Sequence, residues 1–415
     1  MPTTRKRKPT RGKRRTRKRI QKRTLWIGLG ICLAAVAALT AVGIALLRPP
    51  AETRHTSAPV PTPVPTPAPW LANIDKTVTP SIHLAWEYMP LTLDEVPEGI
   101  NVLSPVWFDV IEDEDGQTTV QSPHEAGKAR WDPEQYVQKA KEGNAQVWPS
   151  IASFTPELSK NVVSDPECQS KLIDKLCGWV EEYGFDGLCL DFENMDPADK
   201  EKYTAFAAAL RKKLPPGATL AVAVTVPVVS ENPSNWWQCY DRKGLAQVCD
   251  YIAMMAYDQH RGAEPYTPVA GSAWVERKLQ LLLSEITSGK VLLGIPFYGV
   301  EYVETPGSDE PPESNVVGPD VVARLETQGE YTTIAGTEYT LGEWVEKGIW
   351  DKNHRMTVYT FTDTEGGIHT LYSEDRSSLA SKASLAQEYH VAGAAVWQKS
   401  FGTPGLWSAL REEFK

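Results

Sequence analysis

Two carboxylates two residues apart, Asp191 and Glu193, close the apolar stretch Tyr183-Gly184-Phe185-Asp186-Gly187-Leu188-Cys189-Leu190-Asp191-Phe192-Glu193-Asn194. Side chains alternate faces along a strand, so Cys189, Asp191 and Glu193 share one face while Leu188, Leu190 and Phe192 take the other. Carboxylates held at a strand end can move protons or hold developing positive charge. An acid-terminated strand that runs through Asn194-Met195-Asp196-Pro197 into a helical segment is how a βα unit of a parallel barrel presents catalytic groups. Taken alone, an Asp-x-Glu pair favours a blander reading, Asp191 as a helix or turn cap and Glu193 as a solvated rim charge.

The elements that must position the pair recur along the chain. Apolar runs begin at Ser81, Asn101, Gln146, Gly187, Thr219, Tyr251, Lys290 and Ala392, and each is expected to be followed by turn residues and an amphipathic helical stretch. Near-continuous apolar strands suit a parallel sheet covered on both faces, and eight of them predict a closed (β/α)8 TIM barrel. Helices are expected over 133–143, 166–183, 198–214 and 272–287 from their three- and four-residue apolar spacing. A doubly wound open sheet is the runner-up, without a Gly-rich phosphate loop to support it. The long interval between the seventh and eighth runs predicts a small α+β insertion at about 301–372. Within it, 331–334, 357–362 and 367–372 read as strands, and 318–328 and 341–347 as helices.

Charge divides the chain. The formal net charge is −10, yet residues 1–23 hold thirteen Lys or Arg and no acid, leaving 30 basic against 53 acidic residues in the remainder. An acidic body argues against a nucleic-acid partner. Leu25 to Leu47 carries 23 consecutive uncharged residues, enough at ~1.5 Å per residue to cross a bilayer core of ~30 Å. The expected organisation is therefore a basic cytoplasmic tail (1–24), one transmembrane helix (25–47), a Pro-rich linker (48–69) and a barrel (70–415) outside the membrane. A cleaved signal peptide is the competing reading of the apolar segment. The alternating prolines of 59–67 favour an extended, semi-rigid spacer. Five cysteines follow the span, Cys168, Cys177, Cys189, Cys239 and Cys249, without zinc spacing, and they read as buried thiols. No metal or cofactor is expected.

The segment Asp186-Gly187-x-x-x-Asp191-x-Glu193 resembles the Asp-Gly-x-Asp-x-Asp-x-Glu signature of glycoside hydrolase family 18, the chitinase-like enzymes. Position 189 holds Cys where that family usually carries Asp or Asn. The stretch Phe185 to Asn194 looks most like the branch that includes spore-cortex-lytic N-acetylglucosaminidases. Met255-Ala256-Tyr257-Asp258 resembles the family's sixth-strand motif, Leu293 to Gly299 its seventh-strand segment, and Trp397 its eighth-strand tryptophan.

The resemblance implies a (β/α)8 glycosidase acting on β-1,4-linked N-acetylglucosamine. Glu193 would be the general acid and later the base, and Asp191 would orient the substrate acetamide and stabilise positive charge. The Tyr257 hydroxyl would hold the acetamide oxygen for attack on the anomeric carbon, the substrate-assisted exception among retaining glycosidases. Asp258, Trp397, Met255 and Tyr298 would bind substrate, Trp397 beneath the sugar ring, although a core role fits Trp397 and a wall role fits Tyr298. Two carboxylates leaving one strand on the same side cannot bracket a ring, which agrees with that exception. Peptidoglycan or its fragments at the cell's own envelope is the expected substrate. Chitin is the rival glycan, and a lectin-like binding relative the rival function.

Overall fold

The computed structural model describes residues 68–230, 234–262 and 265–414. The expected transmembrane helix 25–47, the basic tail and all but the end of the linker lie outside the described residues. Among the described residues no helix is long and apolar enough to cross a membrane.

Eight parallel strands close into a barrel: β1 (Ile82–Tyr88), β2 (Val102–Glu112), β3 (Ser150–Ser153), β4 (Gly187–Phe192), β5 (Thr219–Thr225), β6 (Tyr251–Met255), β7 (Val291–Pro296) and β8 (Gly393–Trp397). Each matches one of the apolar runs. β1 closes the ring by pairing with β8 at Ile82 opposite Gly393 and with β2 at Leu84 opposite Val102. A Cβ at position 393 would collide with the Ile82 carbonyl, so glycine permits the seam.

Alternation sorts the strand side chains into two layers. Leu84, Trp86, Trp148, Cys189, Ala221, Ala223, Ala253 and Ala395 fill the interior, the alanines leaving room for the indoles. Leu188, Leu190, Phe192, Val222 and Leu293 face the helical shell. Burying each large apolar side chain of this kind stabilises the fold by roughly 1.5–3 kcal/mol. Asp186 lies at the lower end of the acidic strand, where its carboxylate accepts the Val147 N–H at 2.9 Å. It belongs to the scaffold.

The shell comprises α1 (Pro133–Glu142), α2 (Pro156–Ser164), α3 (Pro166–Tyr183), α4 (Lys200–Lys213), α5 (Arg242–Val248) and α6 (Ser272–Leu283), then α8 (Arg376–Glu388) and α9 (Pro404–Glu413). Proline in the first turn and a capping Asp132 or Asp165 start α1 and α3, satisfying N–H groups that the helix itself leaves free. No helix follows β1. Residues 89–101 hold Pro90 and Pro97, and Gly99 has φ 88°, so that connection departs from the full repeat.

Between β7 and β8 stands a second, antiparallel sheet. Its strands are Gly299–Glu304, Glu313–Val317, Glu330–Thr332, Glu338–Asp351, Met356–Asp363 and Ile368–Ser373, with helix α7 (Val321–Thr327). Residues 341–347, expected to be helical, form part of the strand Glu338–Asp351 instead. Pairing with Met356–Asp363 sets Trp344 opposite Phe361, their rings 5.5 Å apart, and this tertiary packing overrides local spacing. The first two strands of the sheet were not expected: Gly299–Glu304 follows β7 after only two residues, and Glu313–Val317 is a short run that begins with three polar residues.

Buried within this sheet, His369 contacts Glu301 at 3.2 Å and Asp363 at 3.1 Å, and Tyr331 donates its hydroxyl to Glu301. All five cysteines among the described residues are free, and all but Cys168 are buried.

Candidate active site

The C-terminal ends of β4, β6, β7 and β8 carry the chemistry-bearing side chains to one mouth of the barrel. Asp191 lies on β4 in register with Ala152 of β3, which puts it on the interior-facing row. Glu193 follows directly, its backbone N–H held by the Ser153 carbonyl at 2.9 Å. Asp191 is buried, and its Oδ1 has no hydrogen-bond partner among the described residues. That orphan oxygen is the kind of group a ligand satisfies.

Burial shapes the electrostatics. It pushes the Asp191 carboxyl up to about 7. Glu193 rises well above the ordinary glutamate range through burial first, then through the charges of Asp191 and Asp258, with Arg261 opposing. Two like charges crowded in a dry site resist ionising together, so the pair titrates as a unit and retains a proton near neutrality. Proton retention by a glutamate beside a second, separately tuned carboxyl is what acid catalysis at neutral pH requires.

Tyr257 and Asp258 stand just beyond β6. The Tyr257 hydroxyl is held protonated by burial and by the nearby Asp191, Glu193 and Asp258 charges, and it therefore remains a donor facing those groups. Asp258 adopts a left-handed conformation with φ 64°. It accepts the Tyr298 hydroxyl at 2.7 Å and pairs with Arg261 at 3.2 Å. Tyr298 meets Tyr257 edge to face, ring centroids 6.3 Å apart. Tyr298 thus touches the site through Asp258, a more direct link than a wall role would give.

Met255 and Trp397 form the floor. Both are half-buried on top of the interior cluster, and Trp397 lies 6.2 Å from Trp86. Trp397 also packs against the cluster formed by Val269, Tyr298, Val300, Tyr302 and Tyr372. One face of the inserted sheet is therefore continuous with the mouth. All seven expected site residues lie at this end of the barrel.

Cys189 lies one step deeper, against Ser104, Ser150 and Trp86, and burial pushes its thiol up to about 12. It is a neutral thiol that fills space below Asp191, since nucleophilic cysteines need a depressed value.

Several residues here escaped motif reading. Arg261 partners Asp258 from the short 3-10 helix Gln259–Arg261 that follows it. Tyr240 donates its hydroxyl to the Phe192 carbonyl at 2.9 Å, directly before Glu193. Neither belongs to a periodic segment, and only the contact reveals it.

The sequence profile of the glycosyl hydrolases family 18 matches residues 101–401. YdhD of Bacillus subtilis (strain 168), named as a candidate sporulation-specific glycosylase, is 26% identical over 265 residues, covering 63% of this chain and 58% of YdhD. The cortical fragment-lytic enzyme of Bacillus anthracis is 24% identical over 262 residues, covering 63% of this chain and 57% of that protein. The chain thus spans less than two thirds of the length of either relative. Among solved structures, the spore cortex-lytic enzyme SleL of Bacillus cereus superposes with a TM-score of 0.67 at 20% identity, over 81% of this chain and 75% of that one. At that identity the likeness speaks for the fold.

Proposed function

The chain belongs to the glycosyl hydrolases family 18, and from that premise we propose that it is a membrane-anchored glycosidase of the cell envelope that cleaves β-1,4-linked N-acetylglucosamine glycans. The observation that carries this reading is the Asp191–Glu193 pair at the C-terminal end of one strand, Asp191 buried and Glu193 half-buried, with the Tyr257 hydroxyl held protonated near it. Glu193 protonates the leaving oxygen. The substrate's own acetamide oxygen attacks the anomeric carbon, steered by Tyr257 and Asp191. Glu193 then takes a proton from the incoming water. Asp258, locked between Tyr298 and Arg261, lends the site its second flank of charge. Trp397 offers an apolar face to the sugar ring.

Peptidoglycan or its fragments is the favoured substrate. The basic tail followed by an uncharged 23-residue segment and a proline-rich spacer would hold the barrel outside the membrane, facing the wall. The names of the cortex-lytic relatives point the same way. The inserted sheet would raise one wall of the substrate cleft, because its Tyr302 and Tyr372 belong to the cluster against which Trp397 packs.

The test is release of reducing ends by the full-length protein in detergent from purified peptidoglycan and from chitin oligosaccharides. Faster turnover of peptidoglycan or its muropeptides is expected. Preference for chitin oligosaccharides would reassign the substrate, and saturable binding of both without turnover would make the protein a lectin-like relative.

A further inference from the structure

A third carboxyl stands at the same mouth. Asp109 lies near the end of β2, and the parallel ladder puts it opposite Ala152, which is itself opposite Asp191. The three residues form one lateral row. Neighbouring strands lie ~4.8 Å apart, so the Asp109 and Asp191 backbones are separated by roughly 10 Å. Ala152, with its short side chain, is the residue between them in that row.

The orientation of Asp109 depends on an irregularity in β2. Val106 pairs with Ser150, but Phe108 pairs with Ile151, so one extra residue is inserted between them. Trp107 and Phe108 consecutively face the helical shell as a result, Phe108 stacking on Trp179 at 4.4 Å. Ser150, by contrast, hydrogen-bonds Ser104 in the barrel interior. The bulge inverts the phase of alternation, and Asp109 falls on the inner side while Val110 returns to the shell. Bulges beside active sites characteristically re-aim a side chain in this way.

Asp109 also lacks a structural occupation. Its side chain is half-buried, burial alone pushes its carboxyl up to about 6, and the structure gives it neither hydrogen-bond nor ion-pair partner among the described residues. Structural aspartates elsewhere in the chain are occupied, as Asp132 and Asp186 are by backbone N–H groups. A desolvated carboxyl without a partner destabilises the empty protein, and its natural complement is a donor brought by a ligand.

Resting on the glycosidase reading, we propose that Asp109 is a substrate-binding carboxyl that accepts hydroxyl protons of the saccharide on the flank of the site opposite Tyr257. It fixes the sugar laterally while Asp191 and Glu193 act on the anomeric side. A hydrogen bond to a charged group contributes about 1.5–3 kcal/mol, or roughly 10- to 150-fold in affinity.

The experiment is equilibrium binding of tri-N-acetylchitotriose by titration calorimetry to the full-length Glu193→Gln protein, with and without Asp109→Ala and Asp109→Asn. Affinity is expected to fall at least ~10-fold in the Ala variant and less in the Asn variant, which keeps an acceptor oxygen. Thermal melting of each variant at or above the parent's temperature would show that the fold is intact. Equal affinity in all three proteins would overturn the role of Asp109 and leave the glycosidase reading standing. No saccharide binding by any of them, together with no turnover by the wild type, would overturn both.

Discussion

Glu193→Gln is expected to lower turnover of an N-acetylglucosamine oligosaccharide by at least ~10³-fold while leaving its binding within a few-fold. General acid–base catalysis by a positioned side chain contributes ~10²–10⁴-fold. Here the same residue serves both halves of the reaction. Glutamine preserves the shape and the backbone bond from Glu193 to the Ser153 carbonyl, so the loss would report the proton and not the fold.

A second readout separates chemistry from architecture. Burial and the Asp191 charge raise the Glu193 carboxyl, so the unfolded chain releases that proton more readily than the folded one. By linkage, a raised carboxyl subtracts stability at pH values above its unfolded value of about 4.3. The Gln variant should therefore melt at a higher temperature than the wild type near neutral pH. Lost activity with raised melting temperature is the signature of a functional residue; lost activity with a lowered melting temperature would mark Glu193 as structural.

The second large effect is expected in the inserted sheet. His369→Ala should destabilise the protein by about 3–5 kcal/mol, measured by chemical denaturation, because it strands a buried charge. Glu301 is fully buried beside His369 and retains only the Tyr331 hydroxyl when the imidazole is gone. The partner carboxylates raise the His369 imidazolium above its usual range despite burial, which opposes them. Its stabilising contribution is accordingly full below about pH 6.5 and lost as pH rises through the elevated folded value. Asp363, depressed by the His369 hydrogen bond against the opposing effect of burial, loses its contribution at the acid end instead, as pH falls through its lowered value. The inserted sheet contributes Tyr302 and Tyr372 to the cluster against which Trp397 packs, so the variant should lose saccharide affinity as the sheet loosens. Unchanged stability in His369→Ala would mean that the cluster is not an ion network.

Local alternation was enough to find the barrel and its acidic strand. Leu188, Leu190 and Phe192 face the shell and Cys189 and Asp191 the interior, because a regular strand preserves its period of two. Tyr257, Asp258 and Trp397 were legible through the family resemblance of their segments, each sitting at or just beyond the end of an apolar run. Asp109 was not, since the bulge between Val106 and Phe108 reverses the phase that a period-two reading assumes. Arg261 and Tyr240 were invisible because loop contacts determine their roles. The strand Glu338–Asp351 was misread around Trp344, whose placement depends on the distant Phe361. In each failure the deciding contact lies outside the window that spacing can inspect.

The central claim is that the substrate's acetamide completes a site whose two carboxylates stand together at the end of one strand. It is tested most directly by the wild-type protein acting on N-acetylated oligosaccharides and on their de-N-acetylated counterparts, with the anomer of the first product followed by NMR. The account predicts cleavage of the acetylated chain alone, with retention of the β configuration. Equal cleavage of both chains, or release of the inverted anomer, would contradict it.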